Sequence, residues 1–258
     1  MTIQTSLLAG KKMLVTGIAN DQSIAYGCAK AFRAFGADLA ITYLNDKSRS
    51  YVEPLAAELG AELLVPLDVT QPQAMDSLFE TLRGRWGRVD SVLHSIAYAP
   101  RDDLHGRLTD CSRQGFLTAM DVSCYSFVEM ARHAEPLMRD GGTLFTMSFY
   151  GAHQVVENYN VMGPVKAALE ASVRYIACEL GPKGIRVHAI SPGPIRTRAA
   201  SGLAEFDELI NRATEKAPAR AIATIDDVGQ ATAVLASNAA RLITGSTIYV
   251  DGGYHIVD

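Results

Sequence analysis

The sequence lacks any long hydrophobic run: no apolar segment approaches the roughly 18–20 residues that a membrane-spanning helix needs. Its first residues lack a charged leader followed by an apolar stretch, so no secretory signal is expected. An excess of basic charge is absent too, because the formal net charge is -4. Nucleic acids and anionic membranes need a concentrated basic face, so we expect neither as a partner.

Cysteine and histidine are scarce and scattered. The six histidines show no HxxxH or HExxH grouping and the cysteines show no CxxC spacing, so the pattern predicts no metal site. Isolated cysteines are typical of buried thiols in a reducing compartment, which favours a cytoplasmic location. The cysteines are Cys28, Cys111, Cys124 and Cys178.

What the sequence does contain is an alternation of short β-rich runs with longer segments of helical periodicity. Apolar positions in the segment 23–35 recur at spacings of three and four, which indicates a helix after a strand at 12–16. Further strands are predicted at 38–43, 62–67, 90–94, 143–148, 185–190 and 247–250. Further helices are predicted at 47–59, 72–85, 112–138, 158–180 and 204–213.

Repeated strand–helix–strand units predict the fold class. Each crossover is right-handed and covers one face, so the units build a parallel sheet with helices on both faces. A chain of 258 residues can bury one large core. We therefore expect an α/β fold, with a single dinucleotide-binding reductase domain over 1–258 built on a doubly wound sheet of the Rossmann type.

The turn after the first predicted strand is a candidate phosphate site. Gly17 permits a tight turn out of the strand, and Ser23 stands at the helix start, where free amides favour a pyrophosphate. The alternative is a plain strand-to-helix turn with Ser23 as the N-cap. The spacing is neither GxGxxG nor TGxxxGxG, so both interpretations stay open here.

The ends of the next two strands bear on the choice of cofactor. In Rossmann-type sites an acidic group after the second strand holds the ribose of NAD, whereas an arginine accepts the 2′-phosphate of NADP. Leu44 is neither, although Asp46, Lys47 and Arg49 follow it. The lack of an arginine directly at the strand end favours NADH over NADPH. Asp68, after the third strand, either contacts the adenine or caps the next helix.

Tyr159 and Lys166 form the candidate catalytic pair. They are seven residues apart on one predicted helix, which is about two turns or roughly 10 Å of rise, so both side chains point to one face. A nearby ammonium favours the phenolate and makes the phenol a better proton donor. Their position after the strand 143–148 favours a functional pair over a chance coincidence.

Together these motifs resemble the bacterial enoyl-acyl-carrier-protein reductases, a divergent branch of the short-chain dehydrogenase/reductases. The resemblance extends over nearly the whole chain, with the motifs in order. The Tyr-x6-Lys spacing is specific, because ketone-reducing relatives have Tyr-x3-Lys and residue 163 is glycine here. The matching segments are Thr16–Gly17, Ser23–Gly27, His94–Ala97, Asn158–Lys166, Ser191–Thr197 and Val250–Gly253.

The resemblance implies a homotetramer that reduces a trans-2-enoyl thioester, carried on acyl carrier protein, in fatty-acid elongation. Tyr159 would donate a hydrogen bond to the thioester oxygen as negative charge builds there, and Lys166 would hold the nicotinamide ribose. Residues 195–212 would form a substrate flap. The implied NADH site consists of Gly17, Ser23, Ile24, Asp68, Val69, Ser95, Ile96, Lys166, Ile195 and Thr197.

One position departs from the family pattern. The family has a second tyrosine ten residues before the catalytic one, whereas this sequence has Phe149 there with Tyr150 beside it. If Tyr150 does not turn into the site, a hydroxyl is missing from a substrate pocket that by resemblance consists of Phe149, Tyr150, Tyr159 and Met162. The alternatives are a relative that reduces another activated alkene or a carbonyl, and a non-catalytic dinucleotide-binding module.

Overall fold

A single parallel sheet organises the part of the chain that the computed structural model describes, residues 7–197 and 206–257. Each strand is parallel to its neighbours. The strands are β1 (Lys12–Thr16), β2 (Asp38–Tyr43), β3 (Leu63–Pro66), β4 (Ser91–His94), β5 (Gly142–Met147), β6 (Ile185–Pro192) and β7 (Ser246–Val250). Their order across the sheet, β3-β2-β1-β4-β5-β6-β7, confirms the predicted doubly wound fold.

Helices follow the strands as the alternating pattern predicted. Two of them begin with capping boxes, in which Asn45 and Thr224 accept hydrogen bonds from backbone amides three residues on. The helices of the described residues are α1 (Ile24–Ala34), α2 (Asp46–Glu58), α3 (Ala74–Trp86), α4 (Arg101–Leu104), α5 (Arg113–Met120), α6 (Ser126–Ala134), α7 (Met162–Leu180), α8 (Phe206–Lys216) and α9 (Ile225–Ala236). None of them is both long and apolar enough to cross a membrane.

The core lies on both faces of the sheet. On one face, α3, α6 and α7 bury Phe79, Phe127 and Leu169 against the strands. On the other, α1 and α9 bury Phe32 and Val228. Complete burial of a side chain of this size contributes about 1.5–3 kcal/mol, so each face holds its helices firmly and fixes the ends of the strands between them.

Two glycines let α1 and α9 touch through their backbones. A Cβ atom at Gly27 would lie 2.2 Å from the carbonyl oxygen of Ile225, and one at Gly229 would lie 2.3 Å from the oxygen of Gly27. No larger residue fits either position without moving a helix. This close packing fixes α1, whose first turn faces the ligand-binding edge of the sheet.

The helix predicted at 158–180 begins later than expected. Its first residue is Met162, because Asn158 and Asn160 have φ angles of 62° and 40°, in the left-handed region that a right-handed helix excludes. Tyr159 therefore lies in the loop before α7, and the argument that placed it on a helix face with Lys166 was wrong.

Two other predicted helical segments differ in detail. The segment 112–138 is divided into α5, a π-helical turn at Asp121–Tyr125, α6 and a short 3-10 turn at Glu135–Leu137. The helix predicted at 204–213 corresponds to α8, which continues to Lys216. The middle of the expected flap at 195–212 falls on residues 198–205, outside the described part of the chain.

Candidate active site

A cleft of about 1260 Å³ opens at the carboxyl ends of β1, β4 and β5. It includes the point between β1 and β4 where the strand order reverses, which is where open parallel sheets bind ligands. Most of the residues predicted for the site line it, namely Gly17, Ile24, Asp68, Val69, Ser95, Ile96, Phe149, Tyr159, Met162, Lys166, Ile195 and Thr197. Ser23 and Tyr150 do not.

The turn after β1 is fixed by close contact with the neighbouring strand. Gly17 has a φ of 93°, and a Cβ atom there would lie 2.0 Å from the carbonyl oxygen of Ser95, just beyond β4. Any side chain at residue 17 would clash with the Ser95 backbone. It would also strain the backbone of residue 17 itself, because the φ angle is positive. The missing side chain lets the turn pack directly against the chain that follows β4, at the floor of the cleft.

Ser23 shapes the loop rather than lining the cleft. Its Oγ accepts hydrogen bonds from the amides of Ala19 and Asn20, at 3.0 and 3.1 Å. It stands at the N-cap position but makes no capping bond to α1, whose first turn contains no acidic residue. The first amides of α1 are thus left without a side-chain acceptor and suit an anionic group such as a pyrophosphate.

Among the described residues, the end of the cleft beside β2 has a lysine but no arginine in its lining. Leu44 and Lys47 line it. The guanidinium of Arg49 is instead 3.0 Å from Glu53 and lies over the ring of Tyr43. This arrangement agrees with the predicted preference for NADH.

Asp68 lines the cleft and does not cap a helix. Its Oδ1 accepts hydrogen bonds from the amide and hydroxyl of Thr70, at 3.0 and 2.7 Å. The next helix, α3, begins only at Ala74, with Gln73 at its N-cap. The capping role considered for Asp68 is therefore wrong, and its contact with a ligand stays a prediction.

Tyr159 enters the cleft from the loop between β5 and α7. Its side chain is 9% exposed, and its ring lies 5.0 Å from that of Phe149. Burial, and to a smaller extent the negative charge of Glu170, raises the pKa of Tyr159 above its ordinary value. The phenol is therefore protonated at neutral pH and can donate a hydrogen bond.

Lys166 is the buried cation of the site. It is 5% exposed, and its Nζ donates to the carbonyl oxygen of Met147 at 2.6 Å. Burial lowers the pKa of Lys166 to about 8, while Cys124 and Glu170 act in the opposite direction. We expected the Lys166 ammonium to favour the phenolate form of Tyr159. This expectation is not met, because burial is the main influence on the pKa of Tyr159 and raises it.

Phe149 and Tyr150 point in different directions. Phe149 lines the cleft. Tyr150 is turned away, with its ring 5.2 Å from that of Tyr254 and packed with Ala213 and Ala217. The prediction that Tyr150 belongs to the substrate pocket is therefore corrected. The extended chain ends at Phe149, and Tyr150 begins a 3-10 turn. Its ring packs 4.6 Å from that of Phe149 and joins the apolar cluster beside α8. Phe149 leaves this wall of the cleft apolar.

Sequence reasoning missed two residues that belong with the pair. Ser148 follows β5 directly and lines the cleft, and its Oγ donates to Glu170 at 2.5 Å. Glu170 lies one turn after Lys166 on α7 and is 2% exposed. The rule that ligands bind at strand ends would have identified Ser148, and the spacing from Lys166 was the available signal for Glu170.

The chemistry available to the cleft is proton donation and binding of an anionic or polyhydroxylated ligand. It combines a neutral phenol, a buried ammonium and free helix amides. Within the described ranges, no group of three or more histidine, cysteine, aspartate or glutamate side chains could hold a metal ion. The turn at Gly17 and the free amides of α1, at the switch point of the sheet, fit a dinucleotide.

Comparison with known proteins gives a consistent result over nearly the full chain. A family model described as enoyl-(acyl carrier protein) reductase matches residues 17–255. The enoyl-[acyl-carrier-protein] reductase [NADH] 1 of Rhizobium meliloti (strain 1021) is 45% identical over 257 residues, which is 100% of this chain and 94% of that protein.

Two solved structures are close in both sequence and fold. The enoyl-(acyl-carrier-protein) reductase of Anaplasma phagocytophilum, in complex with NAD, is 48% identical with a TM-score of 0.95, covering 98% of this chain and 97% of that one. The Bacillus cereus enoyl-acyl carrier protein reductase, with NADP+ and indole naphthyridinone, is 44% identical with a TM-score of 0.96, covering 98% and 100%.

Proposed function

The chain belongs to the family of enoyl-(acyl carrier protein) reductases, and we propose from this premise how its own residues carry out the reaction. The enzyme reduces the trans-2 double bond of an enoyl thioester carried on acyl carrier protein, with NADH as the reductant, in fatty-acid elongation. The observation that carries the mechanism is that Tyr159 and Lys166 face one cleft with the turn after β1.

The cofactor is held mainly by backbone and by polar groups at the strand ends. The first amides of α1 would bind the pyrophosphate, beside the turn at Gly17, which lines the same cleft. Asp68 and Val69, which line the cleft, would lie beside the adenine, and Ser95 and Ile96 would lie beside the cofactor at the end of β4. When bound, the nicotinamide supplies hydride to the β-carbon of the enoyl thioester.

Tyr159 stabilises the charge that develops on the substrate. As the β-carbon accepts hydride, negative charge moves onto the thioester oxygen, and the Tyr159 hydroxyl donates a hydrogen bond to that oxygen. Its raised pKa keeps the proton on the phenol until charge develops. A positioned donor of this kind is worth about 3–4 kcal/mol in the transition state.

Lys166 positions the cofactor rather than activating the phenol. Its ammonium is fixed by the Met147 carbonyl at the end of β5, and its remaining protons are directed to the ribose hydroxyls. Because the pKa of Lys166 is about 8, the side chain is mostly charged at neutral pH and loses its charge as the pH rises through that value.

The acyl chain passes the apolar wall formed by Phe149 and Met162, both of which line the cleft. Ile195 and Thr197 close the cofactor side, and the segment 195–212 serves as the substrate flap. An apolar wall suits the methylene groups next to the double bond, because apolar surface gains by leaving water. It offers no second hydroxyl to the thioester.

The setting of the enzyme is also part of the proposal. The chain acts as one reductase domain in a cytoplasmic homotetramer. The free thiols at Cys28, Cys111, Cys124 and Cys178 support a reducing compartment. Exposed apolar side chains at Leu117, Tyr125, Tyr175, Leu242 and Ile256 support subunit contacts. The mass in solution by light scattering tests the tetramer, and a monomer would refute it.

The activity is tested by following NADH absorbance with crotonyl-CoA and with longer enoyl thioesters, including an enoyl acyl carrier protein. We expect NADH to be consumed with a strict requirement for the double bond, so the saturated butyryl thioester is the matched control. If no enoyl thioester causes NADH loss, the proposed function is wrong. The same assay with NADPH measures the cofactor preference.

A further inference from the structure

Glu170 is a charged side chain enclosed in the protein beside the catalytic pair. It is 2% exposed, so its carboxylate is withdrawn from water and depends on protein donors. Three side chains surround it: Ser148 Oγ at 2.5 Å, His153 Nε2 at 2.6 Å and Thr247 Oγ1 at 2.9 Å. One carboxylate thus joins α7, the end of β5, the Tyr159 loop and β7.

The hydrogen bond from Ser148 to Glu170 lies next to the backbone group that holds Lys166. Ser148 follows Met147, whose carbonyl oxygen accepts the Lys166 ammonium at 2.6 Å. The amide of Ser148 donates to Ile190 at 2.7 Å, and its hydroxyl donates to Glu170. The position of the Met147 carbonyl is thereby fixed from both sides, by the sheet and by the carboxylate.

The charge on Glu170 also bears on Lys166. The two residues are one turn apart on α7, and both are nearly inaccessible to water. Burial disfavours an ammonium unless a negative charge lies nearby. The Glu170 carboxylate offsets part of this cost without a direct ion pair, since the lysine donates to Met147 instead.

Several other groups face the carboxylate or the ammonium, and none replaces Glu170. Tyr159 and Tyr249 have pKa values raised above the ordinary range, first by burial, so both are neutral. His94, whose pKa burial and Lys166 lower to about 3, is neutral too. Cys124 also lies near the ammonium, but burial raises the pKa of its thiol, so it too is neutral. The remaining groups around the pair are His153 and Arg174, which donates to the Glu170 carbonyl.

We propose that Glu170 is a positioning residue for the reduction, which holds the Ser148–Met147 strand end under Lys166 and keeps the lysine charged for the cofactor. It does not touch the substrate. The inference rests on the proposed role of Lys166 in holding the cofactor, and its first test is independent of the cofactor.

The first test measures the charge of Lys166 directly in the ligand-free protein. The ¹³Cε signal of Lys166, assigned by its loss in Lys166→Met, is followed as a function of pH. In Glu170→Gln, which keeps the size and one of the two acceptor oxygens but removes the charge, we expect the midpoint to fall by about one pH unit. An unchanged midpoint overturns the proposal.

Glu179→Gln is the matched control. Glu179 lies on the same helix but is exposed, so its neutralisation removes the same charge through water and should leave the Lys166 midpoint unchanged. An equal fall in both variants would show a general effect of net charge and would overturn the specific role of Glu170.

The second test measures NADH binding by fluorescence across the same pH range. Affinity in Glu170→Gln should be lost at a pH about one unit lower than in the wild type. If the wild type binds no NADH at any pH, the proposed function fails, while the Lys166 titration still decides the role of Glu170.

Should Glu170→Gln fail to fold, Glu170→Asp takes its place. The shorter side chain keeps the charge but withdraws from Ser148, so Lys166 should titrate as in the wild type while kcat/KM falls about tenfold, the loss expected for one hydrogen bond to a charged group. An unchanged kcat/KM in this variant overturns the positioning role.

Discussion

The turn after β1 and the loop before α7 serve the same cleft, but they are built from different parts of the chain. The turn is made of backbone: Gly17 lies against the Ser95 carbonyl, and the amides of α1 have no side-chain cap. The loop and the helix after it depend on side chains, with Tyr159, Lys166 and Glu170 all enclosed.

This difference predicts opposite sensitivities to mutation. A site built from backbone fails when an atom is added, because close-packed backbone has no room to yield. A site built from side chains fails when an atom is removed, because a buried donor or charge loses its partner. The two regions can therefore be compared by substitutions that add or remove a single group.

Gly17→Ala adds one methyl group to the backbone-built region and should have the largest effect. A Cβ atom 2.0 Å from the Ser95 carbonyl, at a φ of 93°, combines strain with overpacking, and we expect a loss of about 4 kcal/mol in the free energy of unfolding. Urea denaturation measures this loss, and NADH affinity should fall with it.

Gly84→Ala is the control for that substitution. Gly84 lies inside α3, and a Cβ atom there meets nothing within 4 Å, so alanine should stabilise the helix by about 0.5–1 kcal/mol. If Gly17→Ala were as stable as Gly84→Ala and bound NADH normally, the turn after β1 would not be fixed by backbone contact.

Tyr159→Phe removes one oxygen from the side-chain region. We expect kcat to fall about 100-fold or more, as for loss of one donor to a developing oxyanion, while NADH affinity and the free energy of unfolding stay near wild type. Steady-state kinetics and NADH fluorescence titration measure the two effects separately.

Tyr150→Phe is the matched control, since it removes the same hydroxyl from the adjacent tyrosine. Tyr150 lies against Tyr254, outside the cleft, so turnover should be unchanged. Equal losses in Tyr150→Phe and Tyr159→Phe would mean that Tyr150 also reaches the substrate, and the assignment of an apolar wall at Phe149 would be wrong.

The two regions also differ in how far the sequence predicts them. The strand, turn and helix around Gly17 follow from local rules, because a glycine after an apolar run marks a turn, and apolar positions at spacings of three and four mark the helix after it. The fold class follows in the same way from repeated local units. These features depend on neighbours in the sequence.

The Tyr159 region depends on neighbours in space, which local rules do not supply. A helical pattern predicted that Tyr159 shares a helix with Lys166, whereas left-handed residues on either side place it in a loop. The partners of Glu170 come from β5, the loop and β7. No spacing along the chain links Glu170 to Thr247.

Asn160 contributes to the Tyr159 loop through both its backbone conformation and its side chain. Two substitutions at this residue distinguish the two contributions. Its φ of 40° is left-handed, which asparagine tolerates better than most residues. Its Nδ2 donates to the carbonyls of Asp103 and His105, at 3.1 and 3.4 Å. The side chain thus ties the Tyr159 loop to the segment around α4.

Asn160→Gly keeps the left-handed backbone and loses only the side-chain bonds, so it should cost about 1 kcal/mol in the free energy of unfolding. Asn160→Ala loses the bonds and adds strain, for about 2 kcal/mol. Because each change loosens Tyr159, kcat should fall in the same order while NADH affinity holds. Equal unfolding free energies for the two variants would show that the left-handed backbone contributes nothing, and the loop would then be held by side chains alone.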